Sequence, residues 1–134
     1  MSQIFVSYSR RDGEAVGRLV EAVKRDGHQV FFDQDLSGGQ QWRETIVPAI
    51  RKADVFMVVL SPRSIASDHV RKELDIAEHE KKPIVPIVTE QVAIPAKMVY
   101  QLAGLQSIDL APDARAGYRS VKEALRAAQA SFAS

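Results

Sequence analysis

The sequence predicts an α/β chain with a flavodoxin-like three-layer fold, a five-stranded parallel sheet in the order 2-1-3-4-5 covered by helices on both faces. Three observations carry that expectation. Five short runs rich in β-branched and apolar residues recur at 4–8, 29–32, 55–60, 84–88 and 105–110. Their apolar character is nearly continuous, as expected of strands buried on both faces. Segments of helical period separate them, and strict alternation of strand and helix favours parallel strands, because each needs a crossover connection.

After the first strand, Val16, Leu19, Val20 and Val23 stand at i, i+3, i+4 and i+7 between a capping candidate, Asp12, and a stop at Gly27. This reads as an amphipathic helix. The second helix places Trp42, Ile46, Ile50 and Ala53 on one face. A third, over 67–81, carries Val70, Leu74 and Ala77, and a weaker one over 96–103 follows Pro95. The last places Tyr118, Val121, Leu125 and Ala128 on one face after Pro112 and Asp113. There is no internal repeat or low-complexity stretch, so residues 1–134 read as a single domain. The Ala-rich stretch 124–134 fits a module excised from a longer protein.

Composition removes several function classes. The 134 residues include 46% hydrophobic side chains, enough for one core, and 18 Lys and Arg against 17 Asp and Glu leave a net charge of +1. No basic footprint suggests direct nucleic-acid or anionic-membrane binding. The absence of cysteine excludes disulfides and a thiolate nucleophile. Of the three histidines, His28, His69 and His79, none is paired at i, i+4, so no metal site is expected. No run approaches a membrane span, and the start 1–3 leads into a strand without a basic and apolar leader. The expected setting is soluble and cytoplasmic.

In an open doubly wound sheet, ligands bind outside the carboxyl ends of the strands, which directs attention to the loops after strands one, two and three. These are polar: 9–13 with Ser9, Arg10 and Arg11, 33–42 with Asp35, Gly38, Gly39 and Trp42, and 61–68. Neither a P-loop nor a G-x-G-x-x-G fingerprint occurs, and a receiver-type phosphoacceptor is excluded because Ser61 and Ala111 stand where its Asp and Lys belong. Gly38-Gly39 is explained by a turn or by close approach of a ligand. Trp42 is a core anchor or an aromatic wall, and Arg10 and Arg11 are a solvated pair or a phosphate clamp.

The third helix carries a sharper anomaly. At about 100° per residue, Glu73 falls inside the sector of Val70, Leu74 and Ala77, with His69 on the same side. A core-facing carboxylate must be paired, titrate high or face a cavity. Three readings stay open: a structural pair with Arg10, Arg63 or Lys72, a functional carboxylate, and an exposed one if the helix is rotated. For His69, a hydrogen-bonded structural histidine and a general base are both open.

Together these segments resemble the TIR (Toll/interleukin-1 receptor) domain. Ile4-Phe5-Val6-Ser7-Tyr8-Ser9 with Asp12 resembles its opening box, Val30-Phe31-Phe32-Asp33 with Leu36, Gly38, Trp42 and Ile46 its second strand and long loop, and the stretch from Ala49 to Ser64 its third block. Arg71-Lys72-Glu73-Leu74 is similar to the W-C-x-x-E-L segment, with His69 and Val70 at the Trp and Cys positions. The four boxes occur in order, which is more specific than any one of them, and the resemblance covers nearly the whole chain.

The resemblance implies an NAD+ glycohydrolase in which Glu73 acts at the nicotinamide–ribose bond and NAD+ is the substrate, with no separate cofactor. It implies that Tyr8, Ser9, Arg10, Asp35, Gly38, Trp42 and His69 line the dinucleotide. It further implies self-association with other TIR domains, activation by assembly, a possible fused sensor domain, and a place in prokaryotic defence or cell-death signalling. The product that the resemblance implies is ADP-ribose or a cyclic ADP-ribose. Two other classes stay in view: a non-catalytic scaffold working through TIR–TIR contact, and an enzyme similar to nucleoside deoxyribosyltransferases, which acts on free nucleosides.

Overall fold

A computed structural model describes residues 3–32, 40–105, 107–110 and 113–133. Its elements are β1 (Gln3–Ser7), α1 (Gly13–Arg25), β2 (Gln29–Phe32), α2 (Gln40–Lys52), β3 (Val55–Leu60), α3 (Pro62–Ile65), α4 (Asp68–His79), β4 (Ile84–Val88), α5 (Ala96–Gln101), β5 (Ile108–Asp109) and α6 (Ala114–Ala133). The five strands form one parallel sheet in the order β2-β1-β3-β4-β5, as the alternation predicts.

Period-two alternation sorts the strand residues between two cores. On one face, Ile4 and Val6 of β1 and Val55, Met57 and Val59 of β3 pack with Val16, Leu19, Val20 and Val23 of α1 and with Val121 and Leu125 of α6. On the other, Phe5, Phe56, Val58 and Leu60 pack with Ile46 and Ile50 of α2, Val70, Leu74 and Ala77 of α4, and Met98 of α5. Phe5 stacks between Phe31 and Phe56, with ring centroids 5.3 and 5.4 Å away. The central strand β3 is buried along its whole length, which accounts for its unbroken apolar run.

Helix ends follow local chemistry. Gly27, at φ 91°, takes the left-handed position beyond α1 that glycine occupies without steric cost. Ser67 caps α4, its hydroxyl accepting from the Val70 amide at 3.4 Å.

Three expectations need correction. The fifth strand shrinks from 105–110 to Ile108–Asp109, pairing only with Ile87 and Val88. The preceding β4 residue, Pro86, has no N–H to share, and the Leu105 amide is already used by the Leu102 carbonyl in the turn after α5. Within the expected loop 61–68, Ser61 and Ser64 form a reciprocal capping box and Pro62 supplies a first-turn proline, together starting the short helix α3. Asp12 does stand at the N-cap of α1 but makes no side-chain cap bond; its carboxylate is engaged elsewhere.

Candidate functional site

The site is assembled at the carboxyl edge of the sheet, where β1 and β3 end against the start of α4. In β1, Ser7 lies two residues beyond Phe5 and therefore on the same face, towards α4. On α4, Glu73 shares the inner face with Val70, Leu74 and Ala77, and only 2% of its surface is exposed. The two meet: the Ser7 hydroxyl donates to Glu73 Oε1 at 2.6 Å, 66 residues apart in sequence. The helix phase read from the sequence is thereby correct, and the exposed-carboxylate alternative is removed.

The chain after Ser7 is held as tightly. Tyr8 and Ser9 are each 9% exposed. Ser9 caps a 3-10 turn, Arg10–Asp12, accepting from the Arg11 amide at 3.3 Å. Asp12, 6% exposed, closes that turn, and its carboxylate accepts from the Ser61 hydroxyl and, at 2.5 Å, from Arg63 Nε. Arg63 continues to Glu90 beyond β4. Its guanidinium is held above its ordinary range, first by the hydrogen bond to Asp12 and then by that to Glu90. One polar network thus ties the loops after β1, β3 and β4, next to the Ser7–Glu73 pair.

The residues named from the sequence are placed as follows. Ser7 brings Glu73 to the end of β1, whereas the next residue, Tyr8, packs in the core of the opposite face, Ser9 caps the adjoining turn and Arg10 is exposed in it. Asp35 and Gly38 lie outside the described residues, and so does the side chain of Trp42 in the first turn of α2. His69 corrects the expectation that it shares the interior with Glu73: it is exposed. Glu73 is level with the last residue of β1, so the helical turn before it, about 5 Å farther along, runs past the sheet edge. Arg63, one of three cations considered as a partner for Glu73, is engaged by Asp12 and Glu90 instead.

Two residues of the site were not singled out by the sequence reading. In the sequence Ser7 stands only as part of a box, although a lone hydroxyl at an inward position of an apolar strand is a signal in itself. The sequence marks Asp12 as a helix cap, and no local pattern announces Ser61, its partner 49 residues away.

Chemically, the arrangement presents a buried carboxylate at a sheet edge, fixed by a hydroxyl and flanked by a rigid polar turn. Such a group stabilises positive charge developing on a ligand or orients hydroxyls against it. Among the described residues no three His, Cys, Asp or Glu side chains gather as a metal set, and no helix is long and apolar enough to cross a membrane.

Comparison with known proteins agrees with the boxes and the topology. The NAD(+) hydrolase tir-1 of Caenorhabditis elegans is 29% identical over 103 residues, 70% of this chain and 10% of that protein. The chain thus spans about a tenth of the length of this relative. Two solved structures share the fold. The TIR domain of the Toll-related receptor TRR-2 from Hydra magnipapillata superposes with a TM-score of 0.77 at 24% identity, over 94% of this chain and 99% of that one. The TIR domains of the activated Roq1 resistosome superpose at 0.72 and 18% identity, over 93% and 99%. A family model described as the TIR domain matches residues 4–125, nearly the full extent of the sheet and its covering helices, and the chain therefore belongs to the TIR domain family.

Proposed function

We propose that this chain is an NAD+ glycohydrolase that cleaves the bond between nicotinamide and ribose, with NAD+ as substrate and Glu73 as its essential carboxylate. The observation that carries the reading is the buried Glu73 at the carboxyl edge of the sheet, held by Ser7, in a chain related to a named NAD(+) hydrolase.

The chemistry needs few parts. Nicotinamide departs from a cationic pyridinium and leaves neutral, so no general acid has to protonate it, unlike the leaving oxygen of an ordinary glycoside. As the bond stretches, positive charge grows on the ribose in an oxocarbenium-like transition state. A fixed carboxylate in a site that excludes water stabilises that charge more than it stabilises the neutral ribose of the ground state. On this reading Tyr8, Ser9 and Arg10, at the end of β1 and in the turn after it, line the nicotinamide and ribose, and Asp35, Gly38, Trp42 and His69 complete the proposed pocket. Capture of the ribose cation by water gives ADP-ribose, and capture by an adenine nitrogen gives a cyclic product.

The proposal extends to regulation and setting. Activity depends on self-association of TIR domains, which is supported by the fold shared with the TIR domains of the Roq1 resistosome. The module belongs, on this reading, to a longer cytoplasmic protein with a sensor domain, acting in prokaryotic defence or cell-death signalling. The small fraction of tir-1 that the chain covers supports the modular part of that reading.

A second reading, a scaffold without catalysis, is favoured by the exposed apolar side chains of Val99 and Tyr100 on α5, the latter 82% exposed.

Nicotinamide release from NAD+ by concentrated protein, with and without a crowding agent, tests both. Release that rises more steeply than linearly with protein concentration and disappears in a folded Glu73→Ala variant is expected. No release under any assembling condition, with self-association intact, replaces the enzyme by the scaffold. Hydrolysis of free nucleosides with NAD+ untouched points to the deoxyribosyltransferase-like chemistry.

A further inference from the structure

We propose that Ser7 is the positioning residue for Glu73, a role that rests on the glycohydrolase reading above. Glutamate has three side-chain torsions, and the last is broad and roughly two-fold. A carboxylate that must face a developing ribose cation therefore needs an external reference for its rotation. Ser7 provides one. Its hydroxyl donates to Oε1 at 2.6 Å, and the residue is itself fully buried. It stands at the end of β1, in register with Val58 of β3, with β2 on the other side of the strand. The donor is thus carried by the backbone of the sheet rather than by a loop, which places it with the precision that a reacting group requires.

The neighbouring side chains make the choice of residue narrow. The buried β1 and β3 positions around it on this face, Phe5, Phe56, Val58 and Leu60, are apolar, and Gln3, at the far end of β1, is exposed. At the carboxyl end of β1, Ser7 places a hydroxyl donor in this buried hydrocarbon surface, opposite the Glu73 carboxylate. Alanine keeps the packing and removes the donor, and threonine keeps the hydroxyl on a residue type suited to strands. Because Ser7 has no exposed surface, it does not touch NAD+, and its effect on the reaction passes through Glu73 alone.

The test compares steady-state NAD+ cleavage by the wild type, Ser7→Ala and Ser7→Thr, with circular dichroism to establish the fold of each. A displaced carboxylate costs on the order of 10- to 100-fold in rate. The expected result is a loss of that size in kcat for Ser7→Ala, a KM for NAD+ within about twofold of the wild type, and recovery of most of kcat in Ser7→Thr. A purely structural serine predicts a different result, with kcat following thermal stability whatever the donor. Wild-type kcat in Ser7→Ala, or equal losses in the alanine and threonine proteins, overturns the role while leaving the glycohydrolase reading intact. A wild type that releases no nicotinamide under any assembling condition removes that reading and this role together. Should Ser7→Ala fail to fold, Ser7→Cys replaces it as a near-isosteric weak donor, with kcat between those of Ser7→Thr and Glu73→Ala expected and wild-type kcat overturning the role.

Discussion

Arg63 Nε donates to Asp12 Oδ1 at 2.5 Å, joining the turn after β1 to the start of α3 across 51 residues of chain. Asp12 also accepts from the Ser61 hydroxyl, and Ser61 opens the capping box of α3. Arg63 reaches on to Glu90. The loops at the carboxyl edge of the sheet, which carry the proposed substrate contacts, are therefore cross-linked to one another by side chains. Removing that cross-link is expected to disturb stability before chemistry.

Asp12→Ala tests this. Ser61 is fully buried, and without the Asp12 acceptor its hydroxyl loses a partner that water cannot replace, a cost of about 1–3 kcal/mol. Asp12→Ser is expected to be nearly as destabilised, although serine is a good N-cap, because Asp12 does not cap α1 through its side chain. Chemical denaturation of the two variants checks the claim, and full stability in the serine protein would show that capping was the relevant role.

The Ser7–Glu73 pair is expected to behave as a functional group kept at a cost to stability. Ser7→Ala alone leaves a buried carboxylate without its hydroxyl donor and should lower the melting temperature by a few degrees. Replacing both residues, Ser7→Ala with Glu73→Met, exchanges a buried polar pair for apolar groups. The double variant should be as stable as the wild type or more stable by about 1 kcal/mol, with no NAD+ cleavage. Thermal melts of the three proteins decide it. A double variant that melts well below Ser7→Ala would make the pair a structural fixture.

Two glycines in helices should respond oppositely to alanine. At Gly117 of α6, an added Cβ would stand 2.5 Å from Leu110 Cδ2 and 3.1 Å from the Asp109 carbonyl oxygen, so Gly117→Ala forces α6 away from β5 and costs about 1–3 kcal/mol. At the exposed Gly17 of α1 nothing lies within 4 Å, and alanine should stabilise by about 0.5–1 kcal/mol through helix propensity and a stiffer unfolded chain. Urea midpoints measure both, and a stabilised Gly117→Ala would mean that α6 and β5 are less closely packed than described.

Much of this molecule was legible in one dimension because its determinants repeat there. Strands β3 and β4 coincide with the apolar runs, since burial on both faces leaves no polar interruption to blur their ends, and the partly buried edge strand β2 coincides with its run as well. The inward placement of Glu73 was readable for a related reason, as helical period alone sets which residues share the face of Val70, Leu74 and Ala77. The TIR boxes are local strings and were equally visible.

Local pattern alone thus sets the class of fold, the strand order it implies, the family and the inward placement of Glu73. Tertiary structure alone decided what that carboxylate meets. The hydroxyl that holds Glu73 is 66 residues away, and the acceptor for Ser61 is 49 residues away, so neither pair has a local signature. It also decided that His69 is exposed and that β5 has two residues, because both depend on where the sheet ends and not on the composition of either segment. Periodicity encodes which way a side chain faces. The partner that waits there is set by the register of strands and helices that only the folded chain brings side by side.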